Sequence, residues 1–451
     1  MTSPARLAAL DALAQVRRRD EYVAPLVERA ARQLSLKDSD HALAVLLAKG
    51  VVRTRGTLDE AIARFTRIDR LEPRILDALR LAAFELLFLK TPAHAAVHEA
   101  VSAAKRTRPQ AASLVNAVLR RLAADAAGFP WGDPSTDRDA LARMAGCPRW
   151  LVDAFFADLG EAPAREALSA LAAEPPVYGR VNTLLADRDD ALVALQAEGV
   201  AVEPAPPDEC AFRALEPHAF ARSDALGGDV LFACDAAAQY VALQVTAGEP
   251  RLLVEVGAGR GTKTLVALGR LASRGATPRL VAVEPNEWRA RTLAQRLARS
   301  GISGIDVIVA DVRDAAARGV APGSADAVLV DAPCTGTGTL RRHPEAVWRL
   351  TPDDVTRLSS FQREILEAAS VFVRKGGVLV YSTCSVLVAE NEDVVDGFLG
   401  SVPGASFAPA PLEPQPPAEW RHFATHDGFF RSWPSTDGPD GHFVARLMKS
   451  G

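Results

Sequence analysis

The stretch LLVEVGAGRGTKT at residues 252–264 joins a short apolar run to a glycine-rich turn. Leu252–Val256 has the length and the apolar, partly β-branched composition of a buried strand. Three glycines follow at alternate positions: Gly257, Gly259 and Gly261. A helix is predicted to begin near Thr262. Glycines at such a turn let the backbone approach a ligand closely and open a helix N-terminus towards it. The stretch therefore predicts the first strand and the ligand-binding turn of an α/β domain.

Further short apolar runs alternate with helical patterns through the rest of the chain. The predicted strands are Leu280–Val283, Asp306–Val309, Ala327–Val330, Val378–Tyr381 and a final Phe443–Leu447. Strands that alternate with helices form a parallel sheet covered on both faces. The C-terminal half is therefore predicted to be a Rossmann-like α/β domain with a mostly parallel sheet.

Acidic residues stand where three of these strands end. Glu284 follows the second strand, and Asp311 and Asp331 follow the third and fourth. Such sheets bind ligands at the carboxyl ends of their strands, and an acidic residue about 20 residues after the glycine turn suits a ribose diol. Because the glycine spacing fits G-x-G-x-G better than a pyrophosphate fingerprint, the series favours S-adenosylmethionine. The predicted cofactor-binding residues are Gly257, Ala258, Gly259, Arg260, Gly261, Thr262, Lys263, Glu284, Asp311 and Asp331.

Two cysteines are predicted to lie at the same edge of the sheet. Cys334 comes three residues after Asp331, and Cys384 follows the strand that ends at Tyr381. A single cysteine at a strand end is usually an inert small hydrophobic residue. Two such cysteines beside an acidic residue favour a catalytic role.

The N-terminal part has a different pattern and a different charge. Residues 5 to about 125 are predicted to be nearly all helical, with prolines at positions where helices should begin or end. Residues 1–130 carry 21 Lys and Arg against 14 Asp and Glu, a net charge of +7, whereas the remainder has a net charge of −11. This asymmetry suggests a polyanion-binding module joined to another domain.

Between these parts lies a mixed region. Residues 125–139 are predicted to be a linker because they are rich in Gly and Pro. Helices at Trp150–Leu159 and Ala164–Ala173 and a strand at Val177–Leu185 indicate a small α+β module. The expected domains are thus a helical domain at 1–130, an α+β module at 145–240 and the α/β domain at 241–451.

Composition excludes several classes of protein. The 451 residues are 48% hydrophobic and 24% charged, which is typical of soluble globular proteins and not of disordered or fibrous ones. No apolar run reaches the roughly 18 residues of a membrane span, and residues 1–10 show no secretion signal. Five widely spaced cysteines form neither a metal-type pair nor a disulfide framework. A reducing cytoplasm is therefore expected, with no metal site.

The two cysteine segments resemble a known family. DAPCTGTG at residues 331–338, followed by RRHPE at 341–345 and by Trp348, resembles motif IV of the Sun/Nop-type RNA cytosine-5 methyltransferases. YSTCS at 381–385, followed by ENE at 390–392, resembles motif VI of that family. The resemblance implies methylation of carbon 5 of a cytosine in RNA.

Other segments extend the resemblance over nearly the whole chain. DGHF at 440–443 is similar to the family's terminal strand, for which DGFF at 427–430 is a second candidate. RVNT at 180–183 and CDAAAQ at 234–239 resemble parts of the family's small α+β module. GVVR at 50–53 and LVNAVLRR at 114–121 are similar to the NusB-type domain that is fused to bacterial small-subunit rRNA methyltransferases. The implied partner is RNA, with 16S rRNA as the expected substrate and no obligate protein partner.

Motif I departs from the family pattern. The family has D-x-C-A-A-P-G-G-K-T, whereas residues 255–264 read EVGAGRGTKT. The acidic residue, one glycine and the Lys-Thr pair are retained, and Gly-Arg-Gly replaces Ala-Pro-Gly. The turn resembles the general methyltransferase motif I, so cofactor binding is still expected.

The resemblance also implies a role for each reactive residue. Cys384 would attack carbon 6 of the cytosine, which turns carbon 5 into a nucleophile for the methyl group. Asp331 would hydrogen-bond or protonate the ring at nitrogen 3, and Cys334 would assist the release of the product. A helix following Ser385 is expected to lower the pKa of Cys384 through its dipole. The target base must be unstacked or single-stranded.

Two alternatives stay open at the level of sequence. In a DNA cytosine-5 methyltransferase the Pro-Cys cysteine would be the nucleophile, although the presence of Cys384 and of the helical domain argues against this. An RNA-binding ribosome assembly factor with a decayed site would explain the unusual motif I. The retention of Glu284, Asp311, Asp331 and both cysteines argues against decay.

Overall fold

The computed structural model describes residues 2–19, 22–302 and 304–450. The chain forms two compact units. The first comprises Met1–Ala157, Leu171–Ala173 and Leu340–Leu350, and the second comprises Asp158–Ala170, Glu174–Thr339 and Thr351–Gly451. The segment that follows the Cys334 motif along the chain is therefore part of the helical unit, which the sequence pattern does not reveal.

The first unit is helical, as predicted. Its helices are α1 (Pro4–Arg19), α2 (Val23–Gln33), α3 (Asp38–Arg53), α4 (Arg55–Ala63), α5 (Pro73–Leu87), α6 (Ala93–Thr107), α7 (Ala112–Asp125) and α8 (Arg138–Ala145). Pro73 occupies the first turn of α5 and Pro92 directly precedes α6, where a missing N–H costs no helical hydrogen bond. The helices enclose a core of small and aliphatic side chains around Leu47, Leu79 and Phe84.

Helices α9 (Arg149–Leu159) and α10 (Glu161–Ala172) follow along the chain, at the positions expected. The second unit then begins with a four-stranded antiparallel sheet in the order β2-β3-β1-β4. Its elements are β1 (Val177–Val181), α11 (Arg188–Ala197), β2 (Val202–Pro204), β3 (Ala211–Ala214), α12 (Pro217–Phe220), α13 (Asp224–Gly227) and β4 (Leu231–Ala233). The predicted strand to Leu185 is too long: it ends at Val181 because the Asn182 carbonyl and side chain accept hydrogen bonds that close a turn.

The large sheet contains all six predicted strands, with ends that differ by a few residues. Its strands are β5 (Leu252–Val256), β6 (Arg279–Val283), β7 (Ile305–Ile308), β8 (Ala325–Asp331), β9 (Val373–Thr383), β10 (Phe407–Pro409), β11 (Phe430–Arg431) and β12 (Phe443–Lys449). The accompanying helices are α14 (Ala236–Leu243), α15 (Thr262–Ala272), α16 (Glu287–Arg299), α17 (Pro352–Ser370) and α18 (Glu392–Leu399). The Rossmann-like fold is therefore confirmed.

The order of strands in this sheet defines where a ligand can bind. The order is β10-β12-β9-β8-β5-β6-β7, with β11 paired to β12. Strands β9, β8, β5, β6 and β7 are parallel, and β12 is antiparallel to β9. The chain runs from β5 outwards to β7 and returns to β8 on the other side of β5. Such a switch point opens a crevice at the carboxyl ends of the strands.

Candidate active site

The register of two parallel strands brings the cysteine segments together. Asp331, the last residue of β8, is the register partner of Ser382 in β9. The backbone N–H of Ala332 donates to the Ser382 carbonyl, so the pairing continues beyond the end of β8. The two chains then turn away from the sheet at the same edge. Cys334 and Cys384 follow on neighbouring loops as a consequence.

The two thiol groups lie in contact. The Sγ atoms of Cys334 and Cys384 are 3.3 Å apart. The hydrogen bond from Cys334 lowers the pKa of Cys384, and Lys263 acts in the same direction. The same hydrogen bond, together with burial, raises the pKa of Cys334. Cys384 is therefore the thiol of the pair that loses its proton more readily, and Cys334 is the one that keeps it. A thiolate is the nucleophilic form of cysteine.

An ion pair lies next to the thiols. Lys263 Nζ donates to Asp331 Oδ2 at 2.7 Å. Although burial opposes the charge of Lys263, Asp331 raises its pKa, so the ammonium group stays protonated. Ser382 Oγ lies 3.3 Å from Asp331 Oδ1 and fixes the other carboxylate oxygen. Asp331 is thus an oriented carboxylate with a protonated partner.

Glu390 holds the loop that carries Cys334. Its carboxylate is fully buried and accepts from the backbone N–H and the hydroxyl group of Thr335. The Gln362 amide donates to the same carboxylate at 3.0 Å and to the Pro333 carbonyl at 2.9 Å. A buried carboxylate with several donors stabilises the geometry around it, because losing any of them leaves a charge without a partner. The sequence gives no sign of this role beyond the position of Glu390 after the second cysteine motif.

The segment after Cys384 differs from the prediction. No helix follows Ser385 directly: a short 3₁₀ turn covers Val388–Glu390, and α18 begins only at Glu392. The Asn391 side chain instead bonds the Thr383 hydroxyl and the Ser385 carbonyl, which holds this backbone outside a helix. The expected helix dipole is therefore absent from this position, and the pKa of Cys384 is lowered by Cys334 and Lys263 instead.

The glycine turn has the expected shape. Gly257, Gly259 and Gly261 all have positive φ angles, and α15 begins at Thr262. A Cβ atom on Gly257 would lie 2.3 Å from the Asp331 carbonyl oxygen, so only glycine lets the turn pass the end of β8. A Cβ atom on Gly259 would meet nothing closer than 3.9 Å. The turn leaves space of the kind that a closely bound ligand uses.

One of the two predicted acidic residues after β6 and β7, Glu284, contacts this turn. Glu284 is buried at the end of β6 and accepts from the Gly259 N–H at 2.8 Å and from the Asn286 N–H at 2.9 Å. Each oxygen keeps a lone pair for a ligand hydroxyl group. Asp311 follows β7, and its carboxylate pairs with the Arg313 guanidinium, which lowers its pKa. The residues present thus fit an adenosine-type cofactor, with Glu284 as the nearer acid to the turn.

Three further predicted residues shape the turn mainly through their backbone. The side chain of Arg260 is exposed, and its carbonyl accepts from Arg296 at 3.0 Å. Ala258 is buried against the end of β6, where its N–H reaches the Val283 carbonyl. Thr262 begins α15. These positions shape the turn and do not carry reactive groups.

Sequence reasoning missed His442, which lies just before β12. Its ring is buried, and burial lowers its pKa to about 4, so that the ring is neutral. The Nδ1 atom lies 3.9 Å from Asp235 Oδ1. The only available signal was that His replaces a Phe of the terminal family motif. Among the residues that the structure describes, no group of three potential ligands could hold a metal ion, and no helix has the length and apolar character to cross a membrane.

Three protein families match three successive parts of the chain. Residues 3–124 match the NusB family, residues 147–220 match the ferredoxin-like domain of RsmF/B-like methyltransferases, and residues 241–448 match the 16S rRNA methyltransferase RsmB/F family. The resemblance inferred from the cysteine motifs and the helical segments is confirmed.

Similar proteins span the full chain. A probable ribosomal RNA small subunit methyltransferase B from Bacillus subtilis is 30% identical over 98% of both chains. Ribosomal RNA small subunit methyltransferase B from Thermus thermophilus is 31% identical over 94% of this chain and 92% of its own. The crystal structure of PH0851 has the same fold, with a TM-score of 0.81 and 24% identity over 100% of this chain and 99% of that one. This chain belongs to the RsmB/F family of rRNA methyltransferases.

Proposed function

We propose that the protein methylates carbon 5 of a cytosine in 16S rRNA through a covalent bond between Cys384 and the base. The observation that carries this proposal is the 3.3 Å contact between the two Sγ atoms, in which Cys334 lowers the pKa of Cys384. A single cysteine would not give this asymmetry. A thiolate with a neighbouring thiol donor suits a reaction in which a sulfur atom must first attack and later leave.

The cofactor of this methyltransferase family is S-adenosylmethionine, which supplies the methyl group. The turn of residues 257–263 and Glu284 would hold it, because they meet at the carboxyl end of β5. We propose that Asp311, which follows β7, completes the site. The retained hydrogen bond between Glu284 and Gly259 supports a competent site despite the unusual motif I. It argues against the alternative of an assembly factor with a decayed site.

The residues around the thiols suggest how the ring is activated. Cys384 attacks carbon 6 and forms the S–C6 bond, and the displaced electron pair moves towards nitrogen 3. Asp331 faces that nitrogen in the proposed complex and relays a proton from solvent to it, while the Lys263 ammonium group keeps its own proton and holds the Asp331 carboxylate in place. Carbon 5 then has enamine character and accepts the methyl group.

Release needs the reverse of the first step. After methyl transfer, nitrogen 3 returns its proton to solvent through Asp331, and a water molecule takes the proton of carbon 5. The electron pair of that C–H bond forms the C5–C6 double bond, and the electron pair of the breaking S–C6 bond returns to the sulfur of Cys384. The thiol of Cys334, which has a raised pKa and therefore keeps its proton, stabilises the departing thiolate by the hydrogen bond seen between the two Sγ atoms. We therefore propose that the Cys334 side chain acts in product release and not in attack.

The remaining domains are proposed to bind and present the RNA. We assign RNA affinity to the helical domain at 1–130, which carries a net charge of +7. The α+β module at 145–240 and the methyltransferase domain at 241–451 complete the chain. In this scheme the helical domain contributes no reactive group.

The experiment is transfer of a labelled methyl group from S-adenosylmethionine to 16S rRNA, followed by mapping of the modified base. We expect 5-methylcytosine at a defined position with the unaltered protein and none with Cys384→Ala. Methylation of a position other than carbon 5, or undiminished activity of Cys384→Ala, would contradict the proposal. Equal activity on a DNA duplex would instead favour the DNA methyltransferase alternative.

A further inference from the structure

The first unit contains a pocket of about 420 Å³ that none of the proposed chemistry uses. Helices α1, α3, α4 and α5 form one part of its wall, and the segment Leu340–Leu350 completes it. Its volume lies within the roughly 300–1,000 Å³ of small-molecule sites. Aliphatic side chains of the helices line much of it, and charged and aromatic groups converge on it from the segment and from α4 and α5.

Glu345 presents an unsatisfied acceptor in the wall of this pocket. The side chain is 7% exposed, and its Oε1 atom accepts from the backbone N–H of Val23. The Oε2 atom is buried, and no group among the residues that the structure describes donates a hydrogen bond to it. A buried carboxylate oxygen without a donor costs free energy that a ligand N–H group would recover. The pocket therefore favours a ligand that carries a hydrogen-bond donor.

Trp348 supplies a fixed aromatic ring. Its indole N–H donates to the Arg53 carbonyl at 2.6 Å, and a Cβ atom on Gly56 would lie 2.1 Å from the ring. The ring is thus clamped against the backbone of α4 while it lines the pocket. A preorganised aromatic side chain is the usual support for an unstacked base of single-stranded RNA.

Arg55 places a positive charge at the same pocket. Burial lowers its pKa and the charge of Arg80 acts in the same direction, whereas Asp59 raises it. Arg80 already forms two hydrogen bonds with Asp59, each 2.7 Å long, and Asp77 pairs with Arg17. Arg55 lines the pocket, and an arginine guanidinium is well suited to bind phosphate.

We propose that this pocket binds one unstacked nucleotide of the RNA substrate. Glu345 would accept a hydrogen bond from the exocyclic amino group of the base, Trp348 would support its ring, and Arg55 would bind its phosphate. A nucleotide with an exocyclic amino group carries a hydrogen-bond donor, an aromatic ring and an anionic phosphate in one molecule. A lipid or an acidic peptide does not carry all three groups. The inference rests on the proposed function, because it takes RNA as the natural ligand.

The experiment measures the binding of mononucleotides to the full-length protein by isothermal titration calorimetry. S-adenosylhomocysteine is present in excess so that the cofactor site is filled. The probes are AMP, purine riboside 5′-monophosphate, which lacks only the amino group, and adenosine, which lacks only the phosphate. We expect AMP to bind about tenfold more tightly than either of the other two probes, because each lacks one polar group that the pocket recognises.

Two variants assign these interactions to residues. Glu345→Gln keeps an acceptor for Val23 and turns an amide N–H towards the pocket, so it should remove the preference for AMP over purine riboside 5′-monophosphate. Arg55→Ala should lower the affinity for AMP about tenfold and leave the affinity for adenosine unchanged. Arg74→Ala is the matched control, because Arg74 is an exposed arginine of α5 outside the pocket. Thermal unfolding of each variant shows whether the domain is intact.

The outcomes separate this inference from the proposed function. Equal binding of AMP and purine riboside 5′-monophosphate to the unaltered protein, or unchanged AMP affinity in folded Arg55→Ala, would overturn the nucleotide pocket even if 16S rRNA is methylated. The expected preferences without any methylation of RNA would support the pocket and contradict the methylation proposal. Tighter binding of inorganic phosphate than of AMP would reduce the pocket to an anion site and overturn the inference.

Discussion

Asp331 and Ser382 are register partners across the parallel strands β8 and β9. Their pairing sets the positions at which both chains leave the sheet, and the two cysteines follow three and two residues later. A shift of one residue in this register would move every side chain of the strand to the other face of the sheet. The contact between Cys334 and Cys384 is therefore a property of the sheet, and the loop held by Glu390 refines it.

The two cysteines should give opposite results when each is replaced. Cys384→Ala removes the nucleophile, so neither methylated RNA nor a covalent adduct should form. Cys334→Ala leaves the attack possible but removes the donor for the departing thiolate, so an adduct with RNA should accumulate when the cofactor is present. A denaturing gel with labelled RNA and S-adenosylmethionine distinguishes the two variants.

The opposite result for the two variants would exchange the roles of nucleophile and release group between the cysteines. An adduct that accumulates with Cys384→Ala and is absent with Cys334→Ala would make Cys334 the nucleophile. Normal methylation by both variants would rule out covalent catalysis in this protein. Cys147→Ala serves as the control, because this buried cysteine lies in the helical unit and burial raises its pKa to about 12.

Lys263 should control the pH at which Cys384 reacts. The thiolate is the reactive form, so the rate of alkylation by iodoacetamide falls as the pH drops through the pKa of Cys384. Because Lys263 lowers that pKa, Lys263→Met should raise it and move the acid limb of the profile to higher pH. Cys334→Ala should also move the acid limb to higher pH, since it removes the hydrogen bond that has the largest effect on the pKa of Cys384. Mass spectrometry of the Cys384 peptide over a pH series gives the profile.

A profile that does not move in Lys263→Met would show that the lysine does not stabilise the thiolate. Lys375→Met is the matched control, because Lys375 is exposed in β9 and is not among the groups that shift the pKa of Cys384.

The fold could largely be predicted from the sequence because strand and helix periods are local. Six of the eight strands that the structure describes in the large sheet and the helical nature of the first unit follow from apolar patterning, whereas the short strands β10 and β11 were not predicted. The predictions that were wrong have physical causes that the periodicity of apolar residues does not reveal. Asn182 ends β1 by closing a turn, and Asn391 keeps the segment after Ser385 out of a helix through side-chain hydrogen bonds. The grouping of Leu340–Leu350 with the helical unit depends on long-range packing, which no local pattern encodes.

The candidate site could be predicted as far as its strand-end residues. Cys334, Cys384, Asp331 and Glu284 lie at the edge where the alternation of strands and helices places them. The interactions that tune them could not be predicted, since the partners are distant in sequence. Lys263 lies 68 residues before Asp331, with which it forms an ion pair.

The basic surface of the helical domain should supply part of the affinity for RNA. Lys105, Arg106, Arg120 and Arg121 are exposed in α6 and α7. Replacing all four by alanine should weaken the binding of 16S rRNA and flatten its dependence on salt. For single-stranded RNA the slope should fall by about 0.7 for each phosphate that the protein no longer neutralises. Filter binding over a series of salt concentrations measures both quantities.

A charge-preserving variant is the control for this surface. Exchanging Lys and Arg at the four positions keeps the charge and should leave the binding normal. An unchanged slope in the alanine variant would show that this surface does not bind RNA.

Gly257 should be required for cofactor binding because of what lies beside it. Gly257→Ala places a methyl group 2.3 Å from the Asp331 carbonyl oxygen and forces alanine into a φ of +76°. Gly275→Ala is a control for the backbone strain alone, since Gly275 has a φ of +79° but, within the described part of the chain, no atom lies within 4 Å of an added Cβ. Both variants should lose about 1–2 kcal/mol of stability from the left-handed conformation. Only Gly257→Ala should also lower the affinity for S-adenosylhomocysteine, by at least about tenfold, because the turn must move away from the end of β8. Calorimetric titration and thermal unfolding measure the two effects, and equal affinity in both variants would mean that the close approach of Gly257 to Asp331 does not shape the cofactor site.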